Sequence, residues 1–314
     1  MKKLISGLIV ILILFISLLY LLIPNVITVN RSIVFQNNLK GLFRTVSDSK
    51  NWSNWWPGKY DVADKKLSLN GNTYALSDVT TNSVDIDISN PTITVKSSLL
   101  FIPLETDSIK LEWQTQIPTS YNPFKRLKIY FVTASLKNDF HSILGSIPTY
   151  YTNDERIYGL DIRRESVKDT SLVFTFDSTK GYPSIKKIYS MIGDLRNYIN
   201  SHAAMATDSP MLNVYSGDRV HYLTKVAIPT NKILPSSGKI FYKWMLPHGN
   251  ILVADVKGDT KKSDSAFTVM ENYVHDYNLT APAIPFFKLI SNRLQEKDST
   301  KWVTRIYYPV MYYK

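Results

Sequence analysis

Hydrophobic positions change their spacing several times along this chain, and each change predicts a different element. The twenty residues beginning at Leu4 and ending at Ile23 carry no charge, and all but Ser6, Gly7, Ser17 and Tyr20 are Leu, Ile, Val or Phe. That is the length of a helix crossing a bilayer. The alternative is a cleaved signal peptide, against which stand an apolar run longer than an ordinary signal's core and the lack of a small-x-small cleavage site after it. At a few tenths of a kcal/mol per apolar residue, insertion is favourable by on the order of 5 kcal/mol. Beyond it, Ile27, Val29, Ile33 and Phe35 alternate as in a strand, and Leu39, Leu42, Phe43 and Val46 recur at helical spacing. Strand-like stretches follow at 73–78, 84–88, 92–100, 108–117 and 127–132, punctuated by Asn70-Gly71, Asn90-Pro91 and Pro118. Val132, Leu136, Phe140, Ile143, Leu144 and Ile147 then give a helix face, which Pro148 is expected to stop early.

The last 160 residues repeat one order of elements. Residues 172–176 read as a strand and Ile185, Ile188, Tyr189, Ile192, Leu195 and Ile199 as an amphipathic helix, with strands at 210–215 and 220–228. The same series recurs as an apolar run at 251–256, a helix through Ala266, Phe267, Met270, Tyr273, Val274 and Tyr277, and strands at 285–290 and 301–310. Two copies of one unit predict a pseudo-twofold domain with a cleft at its seam, the usual place for a small ligand.

The segment Ala281-Pro-Ala-Ile-Pro-Phe-Phe and the ending Lys301-Trp-Val-Thr-Arg-Ile-Tyr-Tyr-Pro-Val resemble the GyrI-like family of effector-binding domains, from Tyr158 to the C-terminus. The resemblance implies a ligand cleft between the two units, often holding lipophilic cations on a buried glutamate among aromatics. Lys288 stands where that glutamate is expected, and Asn213 is its counterpart in the first unit. Like charges repel in a low-dielectric pocket, so a cationic ligand is disfavoured and one with anionic or acceptor groups is favoured. The alternative for Lys288 is a stem lying along the strand with its ammonium in water. Tyr215, Trp244, Trp302 and Tyr307 are candidate cleft walls, or ordinary strand packing. Asp255 is a candidate to neutralise Lys288.

Nearer the N-terminus, Arg31-Ser-Ile, a short helix, Asp48, Trp52-Ser-Asn-Trp55 and Pro57 resemble the opening of the START-like polyketide cyclase and lipid-transport superfamily. That resemblance implies an antiparallel sheet gripping a long terminal helix around an apolar cavity, here open or collapsed because the helix is expected to be short. Trp52 and Trp55 are expected in the core. Trp56 is expected to be the exposed member, at a ligand mouth or on the membrane interface. The fold class is therefore α+β: an anchor over 1–24, a helix-grip-like domain over 25–150, a linker over 151–157 and a GyrI-like domain over 158–314.

Composition narrows the function without naming it. The 314 residues contain no cysteine, which removes disulfides, thiolate chemistry and cysteine metal sites together. The formal charge of +11 is spread through both domains with no basic stripe, so no nucleic-acid partner is expected. The five histidines lie singly at 141, 202, 221, 248 and 275, and no nucleophile-elbow, zinc or phosphate-loop motif is present. No catalytic residue, metal or cofactor is therefore assigned. Met1-Lys2-Lys3 before the apolar run, with no charge after it until Arg31, predicts a cytoplasmic N-terminus in a bacterial membrane and the domains outside. The reading is a membrane-anchored binding protein for a small, partly apolar or amphipathic ligand. Its alternatives are a hydrolase or cyclase acting on small hydrophobic molecules and a cavity-less envelope scaffold.

Overall fold

The computed structural model describes residues 2–61, 66–105, 108–168 and 170–311, apart from the side chains of 2–4. The chain divides into two compact units, Met1–Ile157 and Tyr158–Lys314. The fold class is α+β, with an antiparallel sheet in each unit.

The first unit begins with helix α1 (Lys2–Leu22), in which Ile5–Leu22 is long and apolar enough to cross a membrane. Next come β1 (Val26–Gln36), α2 (Leu39–Val46) and the short α3 (Trp52–Trp55). Six more strands follow: β2 (Lys59–Asp61), β3 (Lys66–Leu69), β4 (Asn72–Val79), β5 (Ser83–Ser89), β6 (Thr94–Pro103) and β7 (Ser108–Pro118). Their order in the sheet is β1-β7-β6-β5-β4-β3-β2, a meander closed at one side by the first strand. Helix α4 (Pro123–Tyr150) completes the unit.

The length of α4 corrects two expectations. Residues 127–132 are helical rather than extended, because Asn122 caps the helix by accepting from the Phe124 and Lys125 amides at 3.0 and 3.2 Å, and Pro123 sits at the favoured first position. Six apolar and basic residues without clear alternation fit either period. Pro148 does not shorten the helix either, since it lies in the final turn, where few intrahelical bonds remain to be lost. The resulting 28-residue helix fills the grip of the sheet with side chains of its own. Phe140 stacks on Trp113 at 4.2 Å between ring centroids, and Trp113 meets Tyr74 edge-on at 6.1 Å.

Trp56 is also corrected. It is 7% exposed, stacked parallel to Trp52 at 6.1 Å, and its indole donates to the Ser68 carbonyl at 3.3 Å. An indole whose N–H finds a backbone acceptor can be buried like any large apolar group.

After α5 (Asp154–Tyr158), which occupies part of the expected linker, the second unit contains β8 (Arg163–Ser166), β9 (Ser171–Lys180), α6 (Ile185–Ser201), β10 (Met211–Tyr215) and β11 (His221–Pro229). It continues through β12 (Phe241–Trp244), β13 (Asn250–Lys257), α7 (Thr260–Asp276), β14 (Phe286–Leu289) and β15 (Val303–Pro309). The order β12-β9-β11-β10-β14-β15-β13-β8 sets the two β-α-β-β copies back to back. They meet where β10 pairs with β14, Met211 opposite Lys288 and Leu212 opposite Phe287. Helix α6 buries Ile188, Ile192, Leu195 and Ile199 against Val173, Leu212, Val226 and Leu289. In the second copy Phe267 of α7 meets Phe287 and Tyr308 at 5.5 and 5.8 Å. Side chains alternate between the faces of a strand, so the residues between these belong to the opposite face, and the cleft lies there.

Candidate ligand-binding cleft

The face away from α6 and α7 carries Phe174 from β9, Lys225 and Ala227 from β11, Met211 and Asn213 from β10, and Phe286 from β14. Walls rise over this floor from two loops, one through Met245, Leu246 and His248 after β12, the other through Pro282, Ala283 and Ile284 before β14. Together they enclose a cleft of about 590 Å³, within the range of small-molecule sites. Trp244, Leu246 and Ile284 are more than half exposed or close to it and form an apolar rim. Among the described residues lining the cleft there is no Asp or Glu, whereas Lys225 and Lys243 both line it.

The polar part of the floor is a register pair. Asn213 lies opposite Lys225, which places their β-carbons roughly 5 Å apart. The Asn213 amide donates to the Pro285 carbonyl at 2.9 Å, tying the first copy to the strand entry of the second. Its side-chain direction is thereby fixed, and Lys225 stands beside it.

Lys288 shares this face but does not line the cleft. It is 4% exposed, its ammonium donates to Asp208, and it sits 4.7 Å from the Tyr307 ring centroid. It is thus neither a stem reaching water nor a charge open to a ligand. Burial raises the Asp208 carboxyl, but the Lys288 hydrogen bond, the Ser209 amide and the charges of Lys288 and Arg305 together hold it below the usual carboxylate range. Tyr307 stacks parallel on Phe286 at 5.1 Å, so the lysine is covered by the aromatic that joins the cleft floor to the second copy.

Other predicted site residues lie apart from the cleft. Asp255 does not neutralise Lys288; it accepts from Arg305 at 2.6 Å and from Arg163 at 2.8 Å, filling the same face of the second copy with ion pairs. Tyr215 is largely exposed at the far end of β10. Trp302 is buried, donates to the Glu296 carbonyl at 2.8 Å and lies 5.0 Å from the Arg293 guanidinium, which bonds Thr304 on the helix-covered face. Trp56 belongs to the first unit's core. Asn213 and Trp244 are the predicted residues that line the cleft.

Sequence reasoning missed Lys225 and Lys243. The signal for Lys225 was present: it is the polar position between Thr224 and Val226 in a strand pairing with Asn213, the residue already placed at the seam. Lys243 gave no comparable sign, because the four-residue β12 was not anticipated. Among the described residues no group of three His, Cys, Asp or Glu side chains is placed to hold a metal ion.

No protein-family model matches the chain, and no curated protein does. Solved structures do. EcmrR in a cryo-EM complex with DNA is 14% identical, with a TM-score of 0.44 over 62% of this chain and 73% of that one. A hydrolase from Listeria innocua is 11% identical, with a TM-score of 0.36 over 48% of this chain and 92% of that one. SAV2435 bound to tetraphenylphosphonium is 12% identical, with a TM-score of 0.32 over 48% of this chain and 94% of that one.

Proposed function

We propose that this chain is a membrane-anchored binding protein of GyrI-like type, whose second unit holds a small amphipathic molecule bearing an anionic or strong acceptor group. The observation that carries the reading is the combination of an apolar cleft with Lys225 and Lys243 in its lining and no described carboxylate beside them. Apolar surface laid against Phe174, Met211, Phe286 and the loop walls contributes about 2.5 kcal/mol for every ~100 Å² removed from water, before the cost of association. A cation held about 6 Å from one lysine is opposed by roughly 3 kcal/mol at an effective dielectric near 20, and an anion is favoured by a similar amount, less where the lysine is exposed to salt. With Lys288 closed by Asp208, the charge preference comes from Lys225 and Lys243, and Asn213 orients the ligand. In this reading α1 is the anchor and the units stand outside the cytoplasm, with the START-like first unit as a support whose filled interior takes no ligand.

The test uses dodecanoate as probe, followed by calorimetry on the full chain in detergent, with tetraphenylphosphonium as the cationic counterpart. Saturable binding of dodecanoate, weaker by about 100-fold in Lys225→Glu/Lys243→Glu and exceeding that of the cation, is expected from the charge estimate above. Equal binding of both probes, or no change in the double variant, would overturn the reading.

A further inference from the structure

The first unit carries a surface that neither the cleft nor the core explains, at the point where α1 ends. The 21-residue helix is about 31 Å long at 1.5 Å per residue, matching a hydrocarbon core, so Ile23 falls at one edge of a bilayer that α1 crosses. The chain returns to that edge after β7. Thr119 donates from its hydroxyl to the Pro24 carbonyl at 2.9 Å and from its amide to the Asn25 carbonyl at 2.8 Å. Tyr20 donates its hydroxyl to the Tyr121 carbonyl. Arg126, buried in the second turn of α4, donates from Nε to the Ile23 carbonyl at 3.1 Å and from Nη2 to Asn25 Oδ1 at 3.0 Å, with Tyr20 beneath it at 4.8 Å. A cation bonded to the carbonyl end of a helix satisfies unpaired acceptors and complements the dipole there. Leu19, Ile23 and Ile27 pack with Leu127, so the start of α4 is fastened to the exit of α1.

Side chains pointing outward from this fastened segment are aromatic or basic. Tyr121 is 90% exposed, Phe124 81% and Phe131 64%, with Lys125 and Lys128 exposed among them. Phe124, Lys128 and Phe131 fall on one face of α4 at i, i+4 and i+7. Single exposed apolar residues are ordinary, but a cluster continuous with an apolar helix that is itself almost entirely uncovered is not.

We infer that Tyr121, Phe124 and Phe131, flanked by Lys125 and Lys128, seat the start of α4 in the interface of an anionic bilayer beside the exit of α1. Aromatic rings favour the headgroup level and lysines favour anionic lipid there. Two points of attachment, one spanning and one lying on the surface, hold the first unit at a fixed tilt where a lone helix would leave it free. The inference rests on α1 being the anchor, so the experiment separates the two claims.

The chain has no native cysteine, so single-cysteine variants carry one nitroxide each without a background. Phe15→Cys reports α1, Phe124→Cys the lip, and Tyr215→Cys an exposed strand end of the second unit. Each is placed in the full chain in vesicles of phosphatidylcholine with or without phosphatidylglycerol. Collisions with dissolved oxygen dominating over those with a water-soluble nickel chelate at 15 and at 124, with the reverse at 215, is the expected result. A lipid-like signal at 15 with a water-like signal at 124 overturns the lip and leaves the anchor standing. A water-like signal at 15 overturns the anchor itself. Lys125→Glu/Lys128→Glu is expected to make the label at 124 shallower in vesicles containing phosphatidylglycerol and to change nothing in pure phosphatidylcholine. An equal depth in both lipids for both forms would refute the role of the lysines. Phe124 is 81% exposed, so its replacement removes little packing, and circular dichroism of each variant checks that the fold is kept.

Discussion

In the first unit a single 28-residue helix lies within a seven-stranded sheet, and Trp113, Phe140, Tyr74 and three adjacent tryptophans occupy the space between. In the second, two 17-residue helices cover one face of an eight-stranded sheet and leave the other to Asn213, Lys225, Phe174 and Phe286. Both units bury aromatic and aliphatic side chains against a sheet, and the difference between them is one of coverage. A long helix carries enough apolar side chains to fill a curved sheet, while paired short helices back the seam and leave its far side to loops. Open volume therefore remains in the second unit, whereas the described interior of the first is taken up by stacked rings.

The sharpest way to break this comparison is to open the closed unit. Phe140→Ala removes a fully buried ring from its stack on Trp113, and a cost of about 4 kcal/mol is expected for such a deletion. That corresponds to a fall of roughly 10–15 °C in the melting of the first unit, followed by near-ultraviolet circular dichroism. A shift of only a degree or two would mean that the interior has slack, as a lipid cavity would.

The converse experiment closes the open unit. Ala227 sits on the cleft floor, where a large ring meets open volume rather than packed neighbours. Ala227→Trp is expected to weaken dodecanoate binding by about 100-fold, roughly 3 kcal/mol, while melting is unchanged. Undiminished binding would place the ligand elsewhere.

A smaller effect concerns how the closed unit treats charge. Asp139 is fully buried on α4 and accepts from Asn70, Asn72 and Tyr74, each at 2.7 Å. Burial, together with the adjacent carboxyl, pushes the Tyr74 phenol far above its ordinary range. All three partners point donors at the carboxylate, so Asp139→Asn must turn an N–H toward one of them. A loss of about 2 kcal/mol is expected in urea denaturation. A neutral outcome would mean that one donor has turned to accept.

Sequence periodicity was enough to order the two repeated β-α-β-β copies, because 3.6- and 2-residue spacings alternate cleanly and recur from 172 and again from 251, but it gave no sign of the four-residue strands β8 and β12. The start of α4 was hidden, since a short apolar run fits either period while its cap at Asn122-Pro123 reads equally well as a turn. The cleft walls were hidden for another reason: they come from loops at 245–249 and 282–284, whose positions depend on what they pack over. Lys288 was expected by the resemblance on the strand after the second helix, but its environment was not legible. Its partner Asp208 lies 80 residues earlier, in the loop after α6, and no local pattern links the two.

That pair gives the mildest prediction and a pH sign to test. The Asp208 carboxyl is held below its ordinary value in the folded chain, so deprotonation is linked to folding. Stability from this pair is fully present above the unfolded carboxyl's value near pH 4, and it is lost as pH falls through the lower folded value. Because Asp208 is more than a third exposed, solvent screens the pair and the increment is expected to stay below about 1 kcal/mol. Lys288→Met keeps the stem between Met211 and Tyr307, so it isolates the charge. The variant should fall slightly below the parent at pH 7, the deficit should shrink as pH falls below about 4, and it should bind dodecanoate within about twofold of the parent, since Lys288 does not line the cleft. A tenfold loss of binding in Lys288→Met would instead mean that the ammonium leaves Asp208 for the ligand, and the open half of the sheet would then extend across the seam.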